Sequence, residues 1–195
     1  MAAGKSTLAT AVAAAAARHG IRVEHVSFAG ALKDAYCAGA GLDRATFESV
    51  RALKEAHRDA LTASYDAALA RDVHVFARRV TDTIASLVEK DVGIVVVEDL
   101  RRTADWEYMV AHGCGDDGGH RLPGLAAVRC VRVTCDPAAR AARGWTPTSY
   151  DAHPCETEMD GWAAGAVVDN SGGPEGIART AAALCEVYAD TEVSM

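Results

Sequence analysis

Positive charge is what this sequence has too little of for a nucleic-acid or membrane surface. Lys and Arg number 20 against 27 Asp and Glu, a formal net charge of −7. Any phosphate site must therefore be a local cation cluster set against the overall sign, and no basic stripe suggests a nucleic-acid partner. The six cysteines (Cys37, Cys114, Cys130, Cys135, Cys155, Cys185) are scattered without a Cys-x-x-Cys pair. That argues against a zinc ribbon or a dense disulfide scaffold, and for reduced thiols. The seven histidines are dispersed too, so a zinc site is not expected. No apolar run is long enough to span a bilayer, and no internal repeat is visible. Val193-Ser194-Met195 is not a Ser-Lys-Leu type address. At 195 residues and 50% hydrophobic content, a single globular domain is expected, cytoplasmic and monomeric.

Another shortage sits at the very start. Ala3-Gly4-Lys5-Ser6-Thr7 reads as the second half of a phosphate-binding loop, whose pattern is Gly, four residues, then Gly-Lys-Ser/Thr between a strand and a helix. The first glycine would lie just before Met1, the feeding strand ahead of it, and the natural protein is expected to begin some ten to twenty residues earlier, roughly, from ordinary strand and loop lengths. The half that is present carries most of the chemistry. Lys5 can reach the β- and γ-phosphates, Ser6 can ligate Mg²⁺, and the following N–H groups open a helix whose positive end attracts anions. The bland alternative is a helix start that merely reads Gly-Lys-Ser-Thr.

Apolar periodicity predicts helices over Lys5–His19, Leu32–Ala38, Ala45–Ala70, Val75–Lys90, Ala104–Ala111, Asp136–Arg143 and Pro174–Ala189. Strands are predicted at Ile21–Ser27, Ile94–Val97, Ala127–Thr134 and Ala166–Asp169. Ile94-Val95-Val96-Val97 reads like a strand buried on both faces of a parallel sheet. Gly113–Gly124 reads as a surface insertion, and Thr146–Met159 as a loop or lid, within a lid region near 136–160. Strands separated by helices predict an α/β fold with a parallel, doubly wound sheet. In such sheets ligands sit beyond the carboxyl ends of the strands, where Gly4-Lys5-Ser6, Asp99 to Arg102 and Asn170 would all arrive.

Phosphoryl transfer needs cations around both substrates and a metal. Arg101 and Arg102, straight after a buried strand, are candidates for binding a phosphorylated acceptor. Asp99 could hold Mg²⁺ through water or simply pair with an arginine. Arg140 and Arg143, three apart on one helix face, could close over the transferring group or be a wet surface pair. Lys33 and the one-turn pair Lys54 and Arg58 are weaker candidates. Trp106, Trp145 and Trp162 read as packing residues.

Together these segments resemble the animal-type phosphomevalonate kinases, within the nucleoside monophosphate kinase-like group of phosphate-loop proteins. The resemblance runs from Ala3 to about Tyr188. It is carried by Ala29-Gly30-Ala31-Leu32-Lys33-Asp34-Ala35-Tyr36, Gly41-Leu42, Lys54-Glu55-Ala56-His57-Arg58 and Phe76-Ala77-Arg78-Arg79-Val80. Glu98-Asp99-Leu100-Arg101-Arg102, Arg140-Ala141-Ala142-Arg143-Gly144-Trp145, Glu156 through Asp160, and Asn170 complete it. It implies a three-layer phosphate-loop kinase fold, its central first strand missing here, and the reaction ATP + 5-phosphomevalonate → ADP + 5-diphosphomevalonate, towards isoprenoids and sterols. By that likeness Gly4, Lys5, Ser6, Thr7, Arg140 and Asn170 bind ATP. Lys33, Lys54, Arg58, Arg101 and Arg102 bind the acceptor, Lys5, Arg101, Arg140 and Arg143 serve catalysis, and Ser6 and Asp99 serve Mg²⁺. Two departures stand out: the family's basic residues early in the loop fall on Met1, Ala2 or nothing, and Ser6 replaces a frequent aspartate. A peroxisomal location would also be consistent with the family. A nucleoside or deoxynucleoside monophosphate kinase, and a nucleotide-binding module without turnover, remain the alternatives.

Overall fold

The computed structural model describes residues 3–115, 122–125, 127–147, 149–152 and 154–192, with backbone alone at 51, 149, 150, 154, 155 and 187–192. The centre of the expected 113–124 insertion, Thr148 and His153 of the expected lid, Met1, Ala2 and the last three residues lie outside the described residues.

The chain opens with α1 (Lys5–Ala17), an alanine-rich run of strong helix formers that ends in a turn at Gly20. β1 (Val23–Ser27) follows and passes directly into α2 (Phe28–Ala40). α2 begins four residues earlier than its apolar pattern predicts. The reason is a cap: the Ser27 hydroxyl accepts the Gly30 N–H at 3.1 Å, so the helix starts at the strand end.

The single helix expected over Ala45–Ala70 is three: α3 (Arg44–Ser49), α4 (Arg51–Ala56) and α5 (Arg58–Arg71). Val50 breaks the first junction in an extended conformation (φ −97°, ψ 102°), which suits a β-branched residue. His57 breaks the second, its ring bonded to the Tyr36 hydroxyl at 2.7 Å. α6 (Val75–Val88) leads to β2 (Ile94–Glu98) and α7 (Thr103–Met109), which runs on through a wide turn at Val110–Cys114. β3 (Val131–Thr134) is shorter than expected. Then come α8 (Pro137–Ala142), a short 3₁₀ turn at Ser149–Ala152, α9 (Pro154–Thr157), β4 (Ala166–Asp169) and α10 (Pro174–Glu192).

Every described strand pair is parallel, but the expected continuous sheet is two separate pairs. β1 runs beside β2, with Val23 opposite Ile94 and Ser27 opposite Glu98. β3 runs beside β4, with Val131 opposite Ala166 and Thr134 opposite Asp169. A backbone ladder needs strands about 4.8 Å apart, and between β2 and β3 lies a cavity instead, walled by Val95, Val97, Val131 and Val133.

Alternation along β2 feeds two cores. Ile94 and Val96 join Leu8, Val12, Ile177 and Cys185 from α1 and α10. Val95 and Val97 join Phe28, Phe76, Val80 and Met109 from α2, α6 and α7. Only Ile94 of β2 is buried; Val95, Val96 and Val97 are half-buried, short of the burial on both faces that the sequence predicts. Packing against the two cores holds the carboxyl end of the strand at the sheet edge. No helix among the described residues is long and apolar enough to cross a membrane.

Candidate active site

The start of α1 and the end of β2 meet at one edge. Gly4 precedes the helix in the left-handed region (φ 97°), with no side-chain cap and no acidic residue in the first turn to neutralise the N–H groups that follow. A Cβ on Gly4 would stand 1.9 Å from the Asn170 amide nitrogen, so only glycine fits. That amide, on a buried side chain just past β4, donates to the Ala3 carbonyl at 2.8 Å. The loop is thus braced from the neighbouring strand pair.

Lys5 lies 3.3 Å from Asp99, and Arg101 lies 3.5 Å from the same carboxylate oxygen. The Ser27 hydroxyl also donates to Asp99, at 3.3 Å. Burial alone would push the Asp99 carboxyl up. The Lys5 charge and then Arg101 outweigh it and hold it below the ordinary carboxylate value. Asp99 adopts φ 64°, a left-handed backbone uncommon outside glycine, and such strain clusters at functional sites. The Ser6 hydroxyl donates to Glu98 at 2.9 Å rather than to Asp99.

Arg101 also pairs with Glu156, and Glu158 accepts from both the N–H and the hydroxyl of Thr103, at 2.9 and 2.8 Å. These two acids tie the segment around α9 to the end of β2 and the start of α7. Arg102 turns away, donating to the Val73 carbonyl at 3.1 Å and standing 3.6 Å from Asp105. Burial raises the Asp105 carboxyl, with Arg102 opposing.

On the other strand pair, Arg140 donates to the Cys135 carbonyl at 3.0 Å and lies 5.2 Å over the Trp145 ring. Arg143 donates to the Asn170 carbonyl at 2.6 Å and to the Cys135 sulfur at 3.3 Å. Trp145 is therefore a partner for a guanidinium as well as a packing residue.

One cavity of about 530 Å³ gathers Lys5, Glu98, Asp99, Arg101, Arg140 and Glu156 on its wall. Arg102, Arg143, Lys33, Lys54 and Arg58 are not among the residues that line it. Lys54 and Arg58 do not share a helix: the break at His57 separates them, and they pair with Glu48 and Glu55 respectively. Lys33 and Lys54 do come together, on Glu48, and Arg44 joins them there. Neither Glu48 nor Arg44 stands out in the sequence, where both look like ordinary charges on a helix.

An α/β protein that gathers cations at strand ends, beside an uncapped helix start, has the make-up of a phosphoryl-transfer enzyme. Comparison of its sequence with family models is specific. Residues 2–113, more than half of the chain, match the model described as phosphomevalonate kinase, and the chain belongs to that family. The match includes Gly4 to Thr7 and Asp99 to Arg102, and ends before Arg140, Arg143 and Asn170. None of the curated proteins compared with the chain matches it. The family establishes a kinase that phosphorylates phosphomevalonate, a step of the mevalonate pathway to isoprenoids, with ATP and the phosphorylated acceptor as small-molecule substrates.

Proposed function

We propose that this kinase is of the animal type, built as one phosphate-loop domain over residues 1–195, and that ATP binds at the start of α1. The observation that carries this reading is the interlocking of Lys5, Asp99 and Arg101 at one strand end, with Arg140 on the same cavity wall.

The N–H groups of Lys5, Ser6 and Thr7, with Gly4 allowing close approach, cradle the ATP phosphates. Lys5 leaves Asp99 for the transferred phosphoryl group. Arg101 takes the acceptor, joined by Arg102 once it leaves Val73 and Asp105, with Lys33, Lys54 and Arg58, which lie outside the cavity wall, completing its site. Arg140 and Arg143 neutralise charge as it develops, and Asn170 supports the nucleotide through the loop. The hydroxyl of Ser6 and the carboxylates of Glu98 and Asp99 are hard oxygen donors of the kind Mg²⁺ takes, and they would hold it there. Bound there, Mg²⁺ would offset charge on the ATP phosphates.

The acceptor's phosphate oxygen attacks the γ-phosphorus. A new P–O bond forms as the bond to the β-phosphate oxygen breaks, and ADP leaves with that electron pair. A phosphate oxygen is already a competent nucleophile, so no general base is required. The protein works as a monomer on two diffusible substrates.

A coupled assay of ADP release with phosphomevalonate and, separately, nucleoside monophosphates tests the reading. Phosphomevalonate should be the acceptor turned over. Lys5→Ala should lower kcat by a factor of about 10²–10³ or more, the scale for losing one group that stabilises transition-state charge. Turnover of nucleoside monophosphates alone, or kcat unchanged in Lys5→Ala, would overturn it.

A further inference from the structure

We propose that Lys33, Arg44 and Lys54, gathered on Glu48, form the subsite for the acceptor's carboxylate, with Arg44 a direct ligand and Glu48 the positioning residue. This rests on the phosphomevalonate kinase reading above. The three cations come from three different helices. Lys33 Nζ donates to both Glu48 oxygens, at 3.1 and 3.0 Å. Arg44 donates to Glu48 at 2.8 Å and, through Nε, to Asp34 at 2.8 Å. Lys54 donates to the Glu48 backbone carbonyl at 2.7 Å and stands 3.9 Å from its carboxylate.

Isolated surface ion pairs contribute about 0–1 kcal/mol and need mean nothing. This group differs in how firmly its base is set. Phe47, next to Glu48, is fully buried, its ring 6.0 Å from Tyr36 and 6.1 Å from His57. Asp43 caps α3 by accepting the Thr46 N–H at 2.8 Å. Two like charges about 4 Å apart repel by about 1–4 kcal/mol near a protein surface, so the cations need Glu48 between them. Hydrogen bonds from Lys33, opposed by desolvation and aided by Arg44, hold its carboxyl below the ordinary value, so it stays ionised at neutral pH.

Three cations against Glu48 and Asp34 leave the group positive in a chain of net charge −7. An anion is what such a group attracts. Which anion follows from the acceptor, which carries a phosphate at one end and a carboxylate at the other. The phosphate end belongs where transfer occurs, at Lys5 and Arg101. Ser27, bonded to Asp99, caps α2, and Lys33 lies six residues along that helix, a rise of ~9 Å. An acid with a five-carbon main chain and a terminal phosphate spans that distance and brings its carboxylate to Arg44 and Lys54. Arg44 has five N–H donors in a planar fork shaped for carboxylates, more than Glu48 and Asp34 occupy.

The test compares phosphomevalonate with its primary amide at the carboxyl end, which keeps shape and phosphate but removes the charge. Wild-type and Arg44→Gln, Arg44→Lys, Glu48→Gln and Glu48→Asp variants are assayed for acceptor KM and kcat, with thermal melts to check folding. Arg44→Gln should raise the KM for phosphomevalonate about ten- to hundredfold, the range for losing a hydrogen bond to a charged group. It should leave kcat within about twofold and the KM for the amide unchanged, and Arg44→Lys should recover part of the loss. Glu48→Gln should behave like Arg44→Gln, with Glu48→Asp recovering. Arg44→Gln leaving the phosphomevalonate KM unchanged, or raising the KM of acid and amide alike, overturns the subsite while the kinase reading stands. Wild-type protein that turns over neither acceptor overturns the kinase reading and the subsite with it.

Discussion

The cations of the two strand pairs keep different company. Around β1 and β2, each has a carboxylate: Lys5 and Arg101 share Asp99, Arg101 also has Glu156, Arg102 has Asp105, and Lys33 and Lys54 have Glu48. Around β3 and β4, Arg140 and Arg143 are held by neutral groups: two backbone carbonyls, the Cys135 sulfur and the Trp145 ring. On the first side an incoming phosphate must exchange with a resident acid, so the net gain is modest and the contacts sort substrates. On the second side no ion pair holds Arg140 or Arg143 among the described residues, so their charge is more readily available to an anion that develops during reaction. Binding and rate are thus expected to depend on different halves of the molecule.

The strongest way to break that division is to remove one arginine from each half. Arg140→Ala or Arg143→Ala should lower kcat about 10²- to 10³-fold while acceptor KM moves little. Arg101→Ala should chiefly raise acceptor KM. Steady-state kinetics with each substrate varied will read this directly. If Arg140→Ala and Arg101→Ala give the same pattern, the neutral and acidic surroundings do not separate the roles.

A smaller effect is expected where the halves are joined. Gly4→Ala would force the Asn170 amide off the Ala3 carbonyl and strain a left-handed residue. We expect the ATP KM to rise about tenfold, since one hydrogen bond and one strained residue are each of order 1 kcal/mol, with acceptor KM unchanged. Asn170→Ala should reproduce most of that rise by removing the brace. An unaltered ATP KM in both variants would mean that the loop holds its shape without β4.

How much of this could be read in the sequence varies with what each feature depends on. The β-branched run at Ile94 to Val97 and the turn residues after α1 are local signals, and those elements lie where expected. Asp99 and Arg101 were legible because a strand end in an α/β sheet is a preferred ligand edge. The Ala45–Ala70 run has helical composition throughout, and its breaks fall at Val50, in an extended conformation, and at His57, whose ring bonds Tyr36 on α2. Glu156 and Glu158 were illegible as candidate-site residues, because their partners lie on other elements. Arg44 and Glu48 have the ordinary i, i+4 spacing of a helix pair, and only Lys33 and Lys54 from the neighbouring helices set them apart. The split into two strand pairs is likewise a matter of spatial arrangement.

The smallest prediction sharpens the acidic half. The Asp99 carboxyl titrates lower folded than unfolded, where its value is about 3.9. A depressed carboxylate contributes stability that is fully present above its unfolded value and is lost as pH falls through its folded value. The wild-type melting temperature should therefore drop more steeply between pH 5 and 3 (roughly, from these values) than that of Asp99→Asn, which has no such proton to bind. The gap between the two proteins at pH 7 should correspond to about 1 kcal/mol or less, because Lys5 is half exposed and water screens the pair. Parallel acid slopes in the two proteins would mean that Lys5 and Arg101 are not bound to Asp99 in solution, and that the acidic half offers its charge as freely as the other.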